Sequence, residues 1–221
     1  MRIGLFGGTF DPIHRGHLWA ASQVKKIFNL DPIYLIPAAL PPHKAPVSVA
    51  SADDRLEMIK LAIGGIAGVT VSDVELQRSG PSYTIDTVYH FKSTQPDDTR
   101  IFLIMGTDAF LEIDSWKSHR ELLKQISVIV MARPPARRQG EQQGWKHLGD
   151  FLKSNISADY CFSDAQDAFI SAGLQPIHIC DVNAMDISST RIRQAVKQKQ
   201  TIENWVPAPV AEYIHQKGLY T

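Results

Sequence analysis

His14 and His17 stand three residues apart at the end of the stretch RIGLFGGTFDPIHRGH, just behind the run Gly7-Gly8-Thr9-Phe10. Residues spaced i and i+3 where a helix begins lie on one face and can point at one spot. Two imidazoles at a helix N-terminus, beside an exposed glycine turn, make a compact set of donors for a polyphosphate. Adjacent glycines after a strand let the backbone turn tightly and approach phosphate oxygens with no Cβ in the way. A zinc site would need a third ligand, and HxxxH spacing is absent, so no metal ligand is assigned. A dinucleotide fingerprint would need GxGxxG and an acid closing the second strand. The chain has GxxGG and Pro37 at those places.

A second cluster lies near the other end, in ISSTRIR (Ile187–Arg193). Ser188, Ser189 and Thr190 can cap a helix while their hydroxyls and free N–H groups face an anion. Arg193 adds a planar, charged fork for phosphate oxygens. A good N-cap alone would explain the serines, but not the presence of both clusters in one chain.

Period and punctuation give the elements that must hold these groups. Strands are expected at Arg2–Phe6, Ile33–Pro37, Val69–Val71, Ile101–Met105, Ser127–Met131 and Ile177–Cys180. Helices are expected at about Gly16–Phe28, Asp53–Ile63, Ile85–Lys92 and Arg120–Lys124, from SSTRIRQAV onward, and around Ala208–Lys217. Alternating strands and helices, with apolar strands, imply an α/β fold: a doubly wound parallel sheet with a small C-terminal helical part. Ligands of such sheets bind beyond the carboxyl ends of the strands. The segment Arg133–Gly149, rich in Pro, Arg, Gln and Gly, reads as a long connection rather than a boundary, so residues 1–221 are expected to form one domain.

The bulk numbers fit this reading. Hydrophobic residues make up 44% and charged residues 21% of 221, as in ordinary globular proteins. Lys+Arg and Asp+Glu are both 23, so no global field draws the chain to nucleic acid or an anionic membrane. The run Ile126–Ala132 is far too short to span a bilayer. Cys161 and Cys180 have neither CxxC spacing nor scaffold density and read as two thiols. With no signal peptide recognisable before Asp11, the cytoplasm is the expected location.

The string GGTFDPIHRGH resembles the HxGH signature of the nucleotidyltransferase α/β-phosphodiesterase superfamily, and ISSTRIR resembles its late ISSTxIR motif. PPHK (Pro41–Lys44), RSGPSYTIDT (Arg78–Thr87) and GTDAFLEIDSW (Gly106–Trp116) are similar, in this order, to bacterial nicotinate-nucleotide adenylyltransferases. The resemblance implies a Rossmann-like fold and adenylyl transfer from ATP to nicotinate mononucleotide, giving deamido-NAD and pyrophosphate in NAD biosynthesis. It makes His14 and His17 the catalytic pair. It gives Gly7, Gly8, Thr9, Phe10, Lys44, Gly106, Asp108, Arg133, Ser188, Ser189 and Arg193 to ATP and its phosphates, with Mg²⁺ accompanying ATP. It gives Ser82, Tyr83, Thr84 and Trp116 to the nicotinate nucleotide. The partners implied are these small molecules, with neither nucleic acid nor membrane, and a homo-oligomer is left open.

Taken by their positions alone, several of these residues have ordinary alternatives. Lys44 would also pass as a solvated lysine, Asp108 as a helix cap, and Tyr83 and Trp116 as core aromatics. Arg133 directly follows a strand end and can reach a nucleotide, whereas Arg137 and Arg138 read as solvated surface. The rival readings are an enzyme for nicotinamide mononucleotide, the phosphopantetheine adenylyltransferase, which lacks the two middle motifs, and a regulator that holds ATP without turnover.

Overall fold

The computed structural model describes residues 1–39, 49–132, 145–183 and 185–221. Its strands are β1 (Arg2–Gly8), β2 (Ile33–Pro37), β3 (Val69–Val71), β4 (Arg100–Gly106), β5 (Ser127–Ala132), β6 (Cys161–Ser163), β7 (Ala168–Ile170) and β8 (Ile177–Asp181). Its α-helices are α1 (Arg15–Phe28), α2 (Ala52–Ile63), α3 (Thr84–Thr94), α4 (Thr107–Phe110), α5 (His119–Gln125), α6 (Lys146–Phe151), α7 (Ser189–Lys197) and α8 (Ala208–Lys217). The strands form one mixed, mostly parallel sheet in the order β3-β2-β1-β4-β5-β8-β7-β6. This is the α/β architecture expected from the sequence, and the expected elements are present with bounds shifted by one or two residues.

The chain divides into two compact units, Met1–Leu5 with Tyr83–Asn183, and Phe6–Ser82 with Ala184–Thr221. In the first, β4 runs parallel to β5 with Gly106 opposite Met131, and β5 runs parallel to β8 with Ala132 opposite Asp181. Phe102, Leu103, Ile104 and Met105 are consecutive and all buried, as a strand covered on both faces requires. The parallel sheet expected from the sequence takes an antiparallel edge, where β7 pairs with β8, and β6 with β7. Those strands have three residues each, too few to display a period of two. The long connection is corrected as well. Trp145, Leu148, Leu152 and Ile156 are buried at helical spacing, so residues from Lys146 onward form α6 and a following π-helical turn. The polar composition around them hides that stripe. Cys161 and Cys180 are free thiols.

In the second unit, β2 pairs parallel with β3, Ile33 opposite Val69. Helix α2 starts where the Ser51 hydroxyl accepts from the Asp54 N–H, with Asp53 and Asp54 in the first turn and Lys60 in the last, charges that suit the helix dipole. Its buried residues Arg55, Met58, Ile59 and Ala62 follow the i, i+3, i+4, i+7 rule, and one of them is an arginine. Helix α8 has Pro near its start and ends at Gly218, whose φ of 59° is the left-handed C-cap that glycine favours.

Candidate active site

The histidine pair is held by the way α1 begins. His14 is not in the helix; it is the N-cap, and its side chain accepts from the backbone N–H of His17, the third helical residue. The side chain of His17 in turn accepts from the backbone N–H of His14, both contacts at 3.3 Å to Nδ1. This is a capping box made by two imidazoles, satisfying two N–H groups that a helix start leaves without partners. The rings stack with centroids 3.6 Å apart and planes 19° from parallel. Because each Nδ1 accepts an N–H, each neutral imidazole must carry its proton on Nε2. Burial pushes the His14 pKa from 6.5 down to about 4. His17 is held well below 6.5, first by burial and then by His14. The pair therefore presents two neutral Nε2–H donors at neutral pH.

The glycines divide by what they make room for. A Cβ on Gly16 would stand 3.0 Å from Nδ1 of His14, and one on Gly8 would stand 3.0 Å from the Phe10 ring. Among the described residues, a Cβ on Gly7 would meet nothing within 4 Å. Gly8 and Gly16 thus admit neighbours inside the protein, whereas Gly7 leaves open space beside the end of β1.

Around this turn lie groups the sequence reading passed over. Asp11 is 3% exposed, and its Oδ1 accepts from the Ala50 N–H at 3.0 Å and the Tyr220 hydroxyl at 2.7 Å. Arg193 donates to the Asp11 carbonyl at 2.7 Å, with the same nitrogen 3.6 Å from the Asp11 carboxylate. Burial first, then the Asp11 charge, pushes the Tyr220 phenol far above its ordinary value. Arg55 is 1% exposed and donates to the carbonyls of Thr9, Ala38, Ala39 and Ala50. Burial lowers its pKa, while Asp11 and Tyr220 act to raise it. A sequence signal existed for Arg55, a charged residue in the apolar row of an amphipathic helix. For Asp11 it was the lone acid inside GGTFDPIHRGH, between the glycine run and the histidines.

The late motif begins α7 as expected, with Ser188 as N-cap accepting from the Arg191 N–H at 3.2 Å. Its hydroxyls are more occupied than the sequence suggested. Ser189 donates to the Pro12 carbonyl at 3.0 Å, so that proton is not aimed at a ligand, and Thr190 accepts from Arg193 at 3.3 Å. The groups left for an anion are the first backbone N–H groups of α7, which have no intrahelical acceptor, and the remaining N–H bonds of Arg193. His14, His17, Gly8, Phe10, Ser189 and Arg193 are thereby connected within one unit.

In the same unit, Ser82 donates to the Glu75 carbonyl at 3.4 Å. The other unit carries Tyr83, Thr84, Gly106, Asp108 and Trp116. Tyr83 is the N-cap of α3 and makes no side-chain cap bond; Thr84 is the first residue of the helix rather than one ahead of it. Lys117 covers one face of the half-buried Tyr83 ring at 4.1 Å and pairs with Asp86 at 3.7 Å. Gly106 ends β4 and caps α4 directly, so Asp108 is exposed in the first turn and does not serve as the N-cap. The backbone N–H of Trp116 donates to the Ile113 carbonyl at 3.0 Å, which removes it as a ligand donor and leaves the half-buried ring. Lys44, Arg133, Arg137 and Arg138 lie outside the described residues. Among the described residues no three His, Cys, Asp or Glu side chains are placed to hold a metal ion.

Residues 5–195 match the cytidylyltransferase-like family. A probable nicotinate-nucleotide adenylyltransferase of Desulfatibacillum aliphaticivorans is 40% identical over 221 residues, covering 100% of both chains. One from Thermus thermophilus is 38% identical over 220 residues, again covering 100% of each. The solved Plasmodium falciparum nicotinic acid mononucleotide adenylyltransferase complexed with NaAD superposes with a TM-score of 0.72 at 16% identity, over 99% of this chain and 97% of that one.

Proposed function

The chain belongs to the nicotinate-nucleotide adenylyltransferases, within the cytidylyltransferase-like family, and from that membership we propose how its residues carry out adenylyl transfer from ATP to nicotinate mononucleotide. The phosphate of the mononucleotide is already an anion, so the reaction needs no covalent intermediate on the protein. Its oxygen attacks the α-phosphorus in line, forming one P–O bond as the bond to the β-phosphate oxygen breaks and pyrophosphate leaves. What the protein must supply is placement of two anions and donors where charge builds up.

The mutual capping of His14 and His17 carries this reading, because it fixes two neutral Nε2–H donors side by side. These donors bind the phosphates of ATP and hold the charge of the transition state. The turn Gly7–Phe10 gives the triphosphate its close approach, and the start of α7, through its first backbone N–H groups at Ser189 behind the Ser188 cap and through Arg193, receives the departing pyrophosphate. Lys44 and Arg133 add cations to the same phosphates, while Gly106 and Asp108 bind the adenosine part. Ser82, Tyr83, Thr84 and Trp116 take the nicotinate nucleotide, with the uncapped start of α3 toward its carboxylate.

Magnesium enters as Mg–ATP. The donors at the histidine pair are N–H groups, which fit phosphate oxygens and not a cation, so the ion belongs on the phosphates, where it offsets their charge. No helix among the described residues is long and apolar enough to cross a membrane. An ATP-consuming step of NAD biosynthesis fits a cytoplasmic setting with small-molecule partners.

The test is pyrophosphate release from Mg–ATP with nicotinate mononucleotide, nicotinamide mononucleotide and phosphopantetheine in turn. Release is expected only with a pyridine mononucleotide. Preference for phosphopantetheine overturns the acceptor, and ATP binding without turnover of any acceptor favours a regulator.

A further inference from the structure

Arg55 stands among apolar neighbours on α2, yet among the described residues its side chain hydrogen-bonds no carboxylate. Its Nε donates to the Ala50 carbonyl at 3.2 Å, one Nη to Thr9 at 2.9 Å and Ala38 at 2.8 Å, and the other Nη to Ala39 at 3.2 Å. A buried charge hydrogen-bonded to neutral carbonyls, with the Asp11 carboxylate acting on it only through space, is expensive, and the planar fork of a guanidinium is the side chain that can bridge so many at fixed angles. The carbonyls come from separate segments: the turn after β1, the two residues after β2 and the residue before the N-cap of α2.

The contact with Thr9 reaches furthest. A trans peptide points its C=O and the next N–H in opposite directions, so gripping the Thr9 carbonyl fixes the plane from which Phe10 departs. Phe10 has φ of 48°, in the left-handed region that an aromatic residue adopts only when its surroundings impose it. Its ring is 2% exposed and is pressed under Gly8. From there it meets the His17 ring edge to face, with centroids 5.1 Å apart and planes at 78°. Phe6 meets Phe10 at 5.7 Å and His17 at 6.3 Å. His17 therefore sits against two phenyl rings and the stacked His14.

We propose that Arg55 is a positioning residue for the adenylyl transfer, acting through the Thr9–Phe10 peptide and the Phe10 ring to hold His17 in place. The kinetic part rests on the function proposed above; the structural part does not. Among the described residues the titratable group acting on His17 is His14, stacked on its ring, while Asp11, Arg193, Tyr220 and Arg55 interact with one another in the adjoining turn.

The test replaces Arg55→Lys, which keeps the charge but not the fork. His17 is followed by ¹⁵N NMR as pH is varied in the protein without substrates, and kcat and KM are measured alongside. In the original protein the His17 midpoint should lie well below 6.5. In Arg55→Lys, Phe10 relaxes, water reaches His17, and the midpoint should rise toward 6.5. Then kcat should fall about tenfold to a hundredfold, with KM for nicotinate mononucleotide changed less than about twofold. A folded Arg55→Lys protein with unchanged kcat, or with a lower kcat and an unmoved His17 midpoint, overturns the proposal. If Arg55→Lys does not fold, Phe10→Leu tests the same path with the arginine bonds intact, and an unmoved His17 midpoint there overturns it equally. Failure of the original protein to turn over any acceptor removes the functional reading but leaves the titration result standing.

Discussion

The His14 ring occupies the place where a side chain on Gly16 would be, with its Nδ1 3.0 Å from that Cβ position. The glycine of the HxGH stretch is thus required by the histidine before it, whereas a Cβ on Gly7 would meet no described residue within 4 Å. Gly16→Ala should push His14 out of its capping contact. It should destabilise the fold by about 1–3 kcal/mol and lower kcat. Gly7→Ala should leave the melting temperature unchanged or slightly raised, while KM for ATP increases because the Cβ takes ligand space. Thermal melts and kinetics on the two variants check both, and an unchanged KM for ATP in Gly7→Ala would remove that glycine from the site.

Acid should weaken the fold through the histidines. The folded pKa of His14, about 4, lies below the ordinary 6.5, so between those values the unfolded chain binds the extra proton and the folded one does not. Stability is therefore fully present above pH 6.5 and falls as pH drops toward 4. The His14 contribution amounts to about 3 kcal/mol. Denaturant unfolding of the original protein and of His14→Asn, at pH 8, 6, 5 and 4, isolates it from carboxylate effects. Equal pH slopes in both proteins would contradict the buried, neutral histidine.

Tyr220→Phe deletes one hydroxyl that donates to the buried carboxylate of Asp11 at 2.7 Å. Asp11 keeps the Ala50 N–H and its contact with Arg193, so the fold should survive with a loss of about 1–3 kcal/mol. For a chain of this size that is a drop in Tm of about 2–12 °C, read by calorimetry. No drop would show that water replaces the phenol.

The choice of acceptor should follow from the start of α3. Tyr83 provides no side-chain cap there, and a helix N-terminus favours a negative charge. The nicotinate carboxylate can accept from such donors, whereas nicotinamide leaves one without a partner, worth about 1–3 kcal/mol. Ratios of kcat/KM at saturating Mg–ATP should favour nicotinate mononucleotide by about tenfold to a hundredfold. Equal values would refute the carboxylate argument and leave adenylyl transfer in place.

What could be read from the sequence had local causes. The βα alternation, the helix after the histidines and the cap at Ser188 follow from short-range periodicity and capping chemistry, and the structure places them within a residue or two. The hairpin of β6 and β7 was illegible because three-residue strands owe their existence to pairing with β8. Helix α6 was masked by polar composition beside its buried stripe. At the site, the paired histidines were evident, but their form was not: His14 as N-cap and His17 as its reciprocal partner depend on φ and ψ before the helix. Asp11, Arg55 and Tyr220 act across 39, 46 and 209 residues of chain through hydrogen bonds no local pattern encodes.

The reciprocal cap has a consequence for isotope substitution. Both Nδ1 atoms are held by backbone N–H groups, so neither imidazole can pass a proton from one side of its ring to the other while the cap is intact. The attacking phosphate arrives without a proton to remove. With the chemical step limiting, turnover in D₂O should match turnover in H₂O at equivalent points of the pH profile, and a proton inventory should be flat. The histidines then work as fixed dipoles, a role that leaves no trace in deuterium.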